Sequence, residues 1–143
     1  MKKLKTACTI LLIAAMAIGL WEGAHQLFSP ARWHEQYLRD CIETYAEYKE
    51  ALNASLPRLL DPETPSGTHQ MILDPLIAYV RETSPGDRII VIPLADIGDF
   101  YQRTYTYGLV WAADYNRLLD KNPDLILVSL ENGWCAYAST SPQ

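Results

Sequence analysis

The chain has 143 residues, a formal net charge of −5 and 20% charged side chains. That length holds one modest domain. The acidic balance excludes a protein that grips nucleic acid or anionic lipid headgroups through a basic patch.

The N-terminus carries the strongest signal. Lys2, Lys3 and Lys5 form a basic head, and Thr6 to Leu20 follows without a charge. Lysines ahead of an apolar run stay on the cytoplasmic side while the following chain crosses. One reading is an uncleaved anchor over residues 1–24, in which the stretch to Ala24 approaches the ~20 residues of a bilayer span. The other is a signal peptide cut at the A-x-A site Ala15-Met16-Ala17, which leaves a secreted or periplasmic product. From His25 onward nine basic and 16 acidic side chains remain, a net charge near −7. Cys41 and Cys135 lie in this exported part, where an oxidising compartment permits a disulfide between them.

Residues 25–68 read as an amphipathic helix and a loop. Trp33, Tyr37, Leu38, Cys41, Tyr45, Tyr48, Leu52 and Leu56 share one face at 3.6 residues per turn. Such a stripe predicts a core-facing helix from Trp33 to about Leu56. Leu60 to Gly67 is a loop by composition. Residues 69–135 read as a small α/β unit. Asp74-Pro75 is a cap followed by proline, which predicts a helix from Pro75 to Thr83. Ser84-Pro-Gly-Asp87 ends it. Arg88 to Ile92 is a nearly continuous β-branched run, the pattern of a strand buried on both faces. Phe100 to Tyr107 alternates tyrosine and arginine with Gln102, Thr104 and Thr106, which suits an irregular segment or a short edge strand. Val110 to Lys121 reads as a helix, Asp124 to Leu130 as a second buried strand, and Glu131-Asn-Gly133 as a turn. Residues 136–143 read as a flexible tail.

The expected fold is therefore α/β. A small parallel βαβ sheet of two or three strands, covered by helices, follows one N-terminal membrane-spanning helix. In such sheets ligands gather at the carboxyl ends of the strands. That rule nominates Asp96, Asp99, Tyr101 and Arg103 after the first strand, and Glu131, Asn132 and Trp134 after the second, as one ligand-binding cleft. Carboxylates beside an aromatic suit a glycan, or an acid–base pair of a hydrolase. No close-spaced histidine or cysteine motif indicates a metal, no Gly-rich loop follows either strand, and no cofactor is called for.

The stretch from GDRIIVIP at Gly86, through RTYTYG, to NPDLILVS at Asn122 resembles the extracytoplasmic C-terminal α/β domain of multispanning glycosyltransferases that use polyprenyl-phosphate sugars. The likeness covers roughly Leu73 to Ser129. It implies an accessory module beside a membrane-protein partner. The family's catalytic carboxylates lie in loops between early spans, and no such loop exists here, so no catalytic residue is carried over. The leading expectation is a membrane-tethered, non-catalytic module that binds a partner protein or a glycan-type ligand. The alternatives are a small secreted hydrolase using Asp96, Asp99 or Glu131, or a fragment without independent function.

Overall fold

The computed structural model describes residues 13–20, 30–70, 76–98 and 104–141. By internal contacts the chain divides into Met1–Glu35 and Gln36–Gln143. In the first unit residues 13–20 are helical and exposed, including Ile13, Met16, Ile18 and Leu20. Among the described residues no helix is long and apolar enough to cross a membrane. This corrects the expected membrane-spanning anchor. The described part of the apolar run, residues 13–20, is eight helical residues long, where a span needs about 20.

The second unit is an α+β fold, and it contains the long first helix from Gln36 onward. A long helix, α1 (Pro30–Leu60), leads into strands β1 (Gly67–Gln70), β2 (Ile77–Ser84), β3 (Asp87–Gly98) and β4 (Thr104–Ala112). A short helix, α2 (Tyr115–Lys121), then precedes β5 (Ile126–Ser129) and β6 (Trp134–Ser141). The six strands form one sheet in the order β1-β2-β3-β4-β6-β5, and every adjacent pair is antiparallel. The parallel βαβ sheet is thus overturned. The two strands expected to be parallel neighbours, β3 and β5, are separated by β4 and β6.

Four local readings explain the error. The predicted Pro75–Thr83 helix is strand β2, whose residues 77–80 alternate exposed and buried. Leu76, Ile77, Tyr79 and Val80 satisfy both a helical and a two-residue period, and β-branched and aromatic content decides for the strand. Ser84 pairs with Asp87 across Pro85-Gly86. The positive φ of Gly86 after a proline makes this a hairpin turn rather than a helix stop. Val110 to Ala112 completes β4, and the helix starts only at Tyr115. The supposed tail supplies Ala136 to Ser141 of β6, which lies between β4 and β5.

The sheet has two unlike faces. On one, Leu38, Cys41, Tyr45, Leu52 and Leu59 of α1 pack with Ala78, Val80, Ile90, Ile92, Tyr107, Leu109, Trp134, Ala136 and Ala138. The aromatic stripe of the sequence is therefore core, and Tyr37 lies against Tyr107 with ring centroids 4.8 Å apart. The helix continues through Pro57 to Leu60, beyond the expected end near Leu56. Leu59 is fully buried, and Arg88 donates to the Leu59 carbonyl at 3.4 Å and the Pro62 carbonyl at 3.0 Å. The first bond occupies one of the last-turn carbonyls that a helix end leaves without an intrahelical partner, and the second ties down the turn that follows the helix.

On the other face Val110, Cys135 and Tyr137 pack with Ile89, Val91, Tyr115, Leu118, Leu125 and Leu127. Alternation along β6 sends Trp134, Ala136 and Ala138 to α1 and Cys135 and Tyr137 to the opposite side. Cys41 and Cys135 therefore sit in separate clusters across the sheet, and both are free and buried. The Cys41–Cys135 disulfide that the compartment would permit is therefore not formed, and the cysteines are two separate buried thiols. Burial pushes the Cys41 thiol up to about 11, with Asp40 adding to the rise.

Candidate functional site

The second face carries a groove of about 440 Å³. It forms because α2 covers only part of the sheet. Asp114 caps that helix, its carboxylate accepting from the N–H groups of Asn116 at 3.0 Å and Arg117 at 3.4 Å. The Tyr115 hydroxyl then ties the helix to the sheet. It lies 2.9 Å from the Val110 carbonyl and 2.5 Å from the Gly133 carbonyl, and it accepts from the Ala112 N–H at 3.2 Å. Burial raises the Tyr115 phenol far above its ordinary range, and its hydrogen bond with Cys135 adds to the effect.

The groove floor is apolar, made by Ile89, Val91, Val110, Leu118 and Leu125. At one end Thr83, Asp87, Asp114 and Arg117 line the wall. Arg117 Nη1 donates to Asp87 Oδ2 at 2.9 Å, and the Thr83 hydroxyl donates to the same oxygen at 2.9 Å. The Arg117 bond, seconded by Thr83, holds the Asp87 carboxyl below the usual carboxylate range. Toward the other end lie Thr106, Tyr137 and Ser139. Burial and the carboxylate of Asp96 raise the Tyr137 phenol, and Arg81 opposes that rise. Arg81 and Lys121 complete the lining, and neither forms an ion pair among the described residues. The acids of the wall are already engaged, Asp87 by Arg117 and Asp114 by the helix N–H groups. Among the described residues the groove lining of this acidic chain thus carries more positive charge than its own acids neutralise.

Close approach of strands underlies it. Gly108 pairs with Pro93 and Tyr137. A Cβ at Gly108 would lie 2.1 Å from the Ile92 carbonyl oxygen and 2.9 Å from the Tyr137 ring. Only glycine allows the Ile92 carbonyl and the Tyr137 ring to come this close to that strand. A register shift between Pro93 and Ala95 bends β3 beside it.

Of the seven expected site residues, the four that are described, Asp96, Glu131, Asn132 and Trp134, do not form one cleft. Asp99, Tyr101 and Arg103 lie outside the described residues. Asp96 is exposed on β3 and pairs with Thr106, a groove residue that in turn pairs with Ser139. Asp96 therefore borders the groove. Glu131 and Asn132 are exposed in the turn before β6. Trp134 is 0% exposed, and a ring without exposure cannot stack on a ligand. In β6, Ser139 stands five register positions from Trp134, a separation of about 17 Å at 3.4 Å per residue. Asp96 and Glu131 are thus too far apart for paired carboxylate chemistry, which works at about 5–9.5 Å.

The turn 131–133 is instead a clamp. Its three successive carbonyls lie against three aromatic side chains. Tyr45 Oη donates to Glu131 O at 3.0 Å, Trp111 Nε1 to Asn132 O at 3.2 Å, and Tyr115 Oη reaches Gly133 O. Asn132 and Gly133 adopt φ of 55° and 79°, the left-handed region that these two residue types tolerate best.

Sequence reasoning missed Arg81, Lys121, Tyr137 and Ser139. The two-residue period of Ala78 and Val80 could have placed Arg81 opposite the core. Nothing short of the β4–β6 pairing marked Tyr137 and Ser139. Among the described residues no three His, Cys, Asp or Glu side chains group as metal ligands.

Comparison of the chain with family models, with curated proteins and with solved structures returned no match.

Proposed function

We propose that this chain is an exported, non-catalytic binding module whose ligand site is the groove on the second face of the sheet. The observation that carries this reading is an open groove with an apolar floor and two cations, Arg81 and Lys121, that make no ion pair among the described residues. Its volume of about 440 Å³ lies within the ~300–1,000 Å³ typical of small-molecule sites. Export is supported by the basic head, the uncharged run and the Ala15-Met16-Ala17 site. Residues 13–20 bury none of their large apolar side chains, which suits a leader that is removed rather than a part of the fold.

The groove fits a ligand with an apolar body better than a glycan. Sugars need exposed ring faces and dense hydrogen bonding, whereas Tyr137 is 6% exposed and the floor is aliphatic. The accessory role implied by the glycosyltransferase likeness would make a membrane protein the partner; the groove neither requires nor opposes that. The hydrolase reading is disfavoured by the separation of Asp96 from Glu131.

Fluorescence of the neutral apolar probe N-phenyl-1-naphthylamine tests the reading on the full chain. Saturable binding is expected, with a component removed by the groove-filling substitutions Val91→Trp and Ser139→Trp while the cooperative unfolding transition is retained. Probe binding unchanged in both folded variants would overturn the proposal.

A further inference from the structure

Resting on the groove reading above, we propose that the ligand class is an amphipathic monoanion: a carboxylate on an alkyl or small-ring body. The body lies on the aliphatic floor, and Arg81 receives the head beside Lys121 and the Tyr137 hydroxyl.

The argument begins with what is already paired. Of the three cations that line the groove, Arg117 is bonded to Asp87. Lys121 adds its field to Asp87 but makes no ion pair among the described residues. Arg81 has neither a carboxylate nor a hydrogen-bonded carbonyl among them. The Tyr137 phenol lies within the fields of Arg81 and Asp96, and it too makes no hydrogen bond among the described residues. A guanidinium and a phenol that line an apolar floor and make no hydrogen bond among the described residues are the donors that a carboxylate would take. A guanidinium presents a planar fork that matches the two oxygens of a carboxylate, and such charge-assisted pairs are the strong ones.

Asp96 limits the charge of the head. It borders the Thr106 end of the groove through its pairing with Thr106, and its carboxylate acts on Tyr137, the phenol that also lies in the field of Arg81. A doubly charged head such as a phosphate monoester would meet that carboxylate, while a single charge is matched by Arg81. A neutral head would leave Arg81 desolvated without a partner, and an ammonium would meet two cations.

Displacement of N-phenyl-1-naphthylamine from the full chain at neutral pH reads the preference directly, with decanoate, decanol, decylamine and decyl phosphate as competitors below their micelle concentrations. Decanoate is expected to compete at a concentration about tenfold lower than decanol, the scale of one charge-assisted hydrogen bond. Decylamine and decyl phosphate are expected to be weaker than decanoate. Arg81→Gln should abolish the advantage of decanoate over decanol while the probe still binds. Lys121→Gln should reduce it, and Asp96→Asn should narrow the gap between decanoate and decyl phosphate. Equal competition by decanol and decanoate, a preference that survives Arg81→Gln, or a wild-type preference for decyl phosphate would each overturn this inference and leave the groove reading standing. Failure of the groove reading shows separately, as probe binding that Val91→Trp and Ser139→Trp do not change.

Discussion

The two faces of the sheet are built from the same strands and end in opposite states. Under α1 every large side chain at the centre is sealed: Leu52, Leu59, Ile90, Ile92, Leu109 and Trp134 are all 0% exposed. Under α2 the cover is seven residues long, and Ile89, Val91, Leu118 and Leu125 stay partly open. A 31-residue helix spans about 46 Å at 1.5 Å per residue, and a seven-residue helix about 10 Å. Helix length therefore separates a core from a groove. The closed face carries the stability, and the half-covered face is free to carry polar side chains at its border.

The sharpest way to break this contrast is Trp134→Ala. Emptying a fully buried site on the closed face should cost about 3–5 kcal/mol, against about 1 kcal/mol or less for Val91→Ala on the groove floor. Urea unfolding of both variants measures the gap, and similar losses would mean that the faces are not energetically distinct. Gly108→Ala comes next. Its new methyl would press on the Ile92 carbonyl and the Tyr137 ring, so a loss of about 1–3 kcal/mol is expected, together with weaker groove binding because that ring must move.

Arg88→Met keeps much of the buried stem and removes the donors to Leu59 and Pro62. A cost of about 1–3 kcal/mol is expected, with probe binding in the groove unchanged because Arg88 works on the α1 side. Tyr115→Phe should cost about 1 kcal/mol and, unlike Arg88→Met, should alter the groove, because the hydroxyl ties α2 to the sheet. Hydrogen exchange of the α2 amides would show that loosening.

The smallest effect is electrostatic. Asp87 is held below its ordinary value by Arg117 and Thr83, so its contribution is present above the unfolded aspartate pKa of about 3.9. It is lost as pH falls through the lower folded value. The stability of Arg117→Gln should therefore trail wild type at neutral pH and converge with it at the acid end. A difference independent of pH would remove the ion pair from the account.

Several features of both faces were legible in single residues. The stripe from Tyr37 to Leu56 marked the core side of α1, because one helix face must be apolar to meet a sheet. The run Arg88 to Ile92 correctly indicated a strand, but burial on both faces was not met: Ile90 and Ile92 are buried under α1, while Ile89 and Val91 stay partly open on the groove face. It did not indicate direction, since antiparallel strands covered on both faces carry the same unbroken apolar pattern. Asp96 was singled out for its place after that strand, and it does border the groove, although for a different geometric reason. Glu131, Asn132 and Trp134 were nominated by a rule for parallel sheets, and that rule lapsed with the topology. Cys41 and Cys135 showed no sign of being on opposite sides, because facing depends on strand alternation and that required β6 to be recognised.

By itself the sequence determined the elements with a strong local period: the basic head and apolar run, the amphipathic α1, and strand content in 88–92 and 126–129, although β5 is a half-open edge strand rather than the buried strand expected over Asp124 to Leu130. Tertiary structure alone decided the rest. Residues 77–84, 104–112 and 134–141 have weak or ambiguous periods, and they become strands because each finds a partner through long-range hydrogen bonds. Those pairings, invisible to any local window, set the strand order, separate the cysteines and bring Arg81, Tyr137 and Lys121 to one groove.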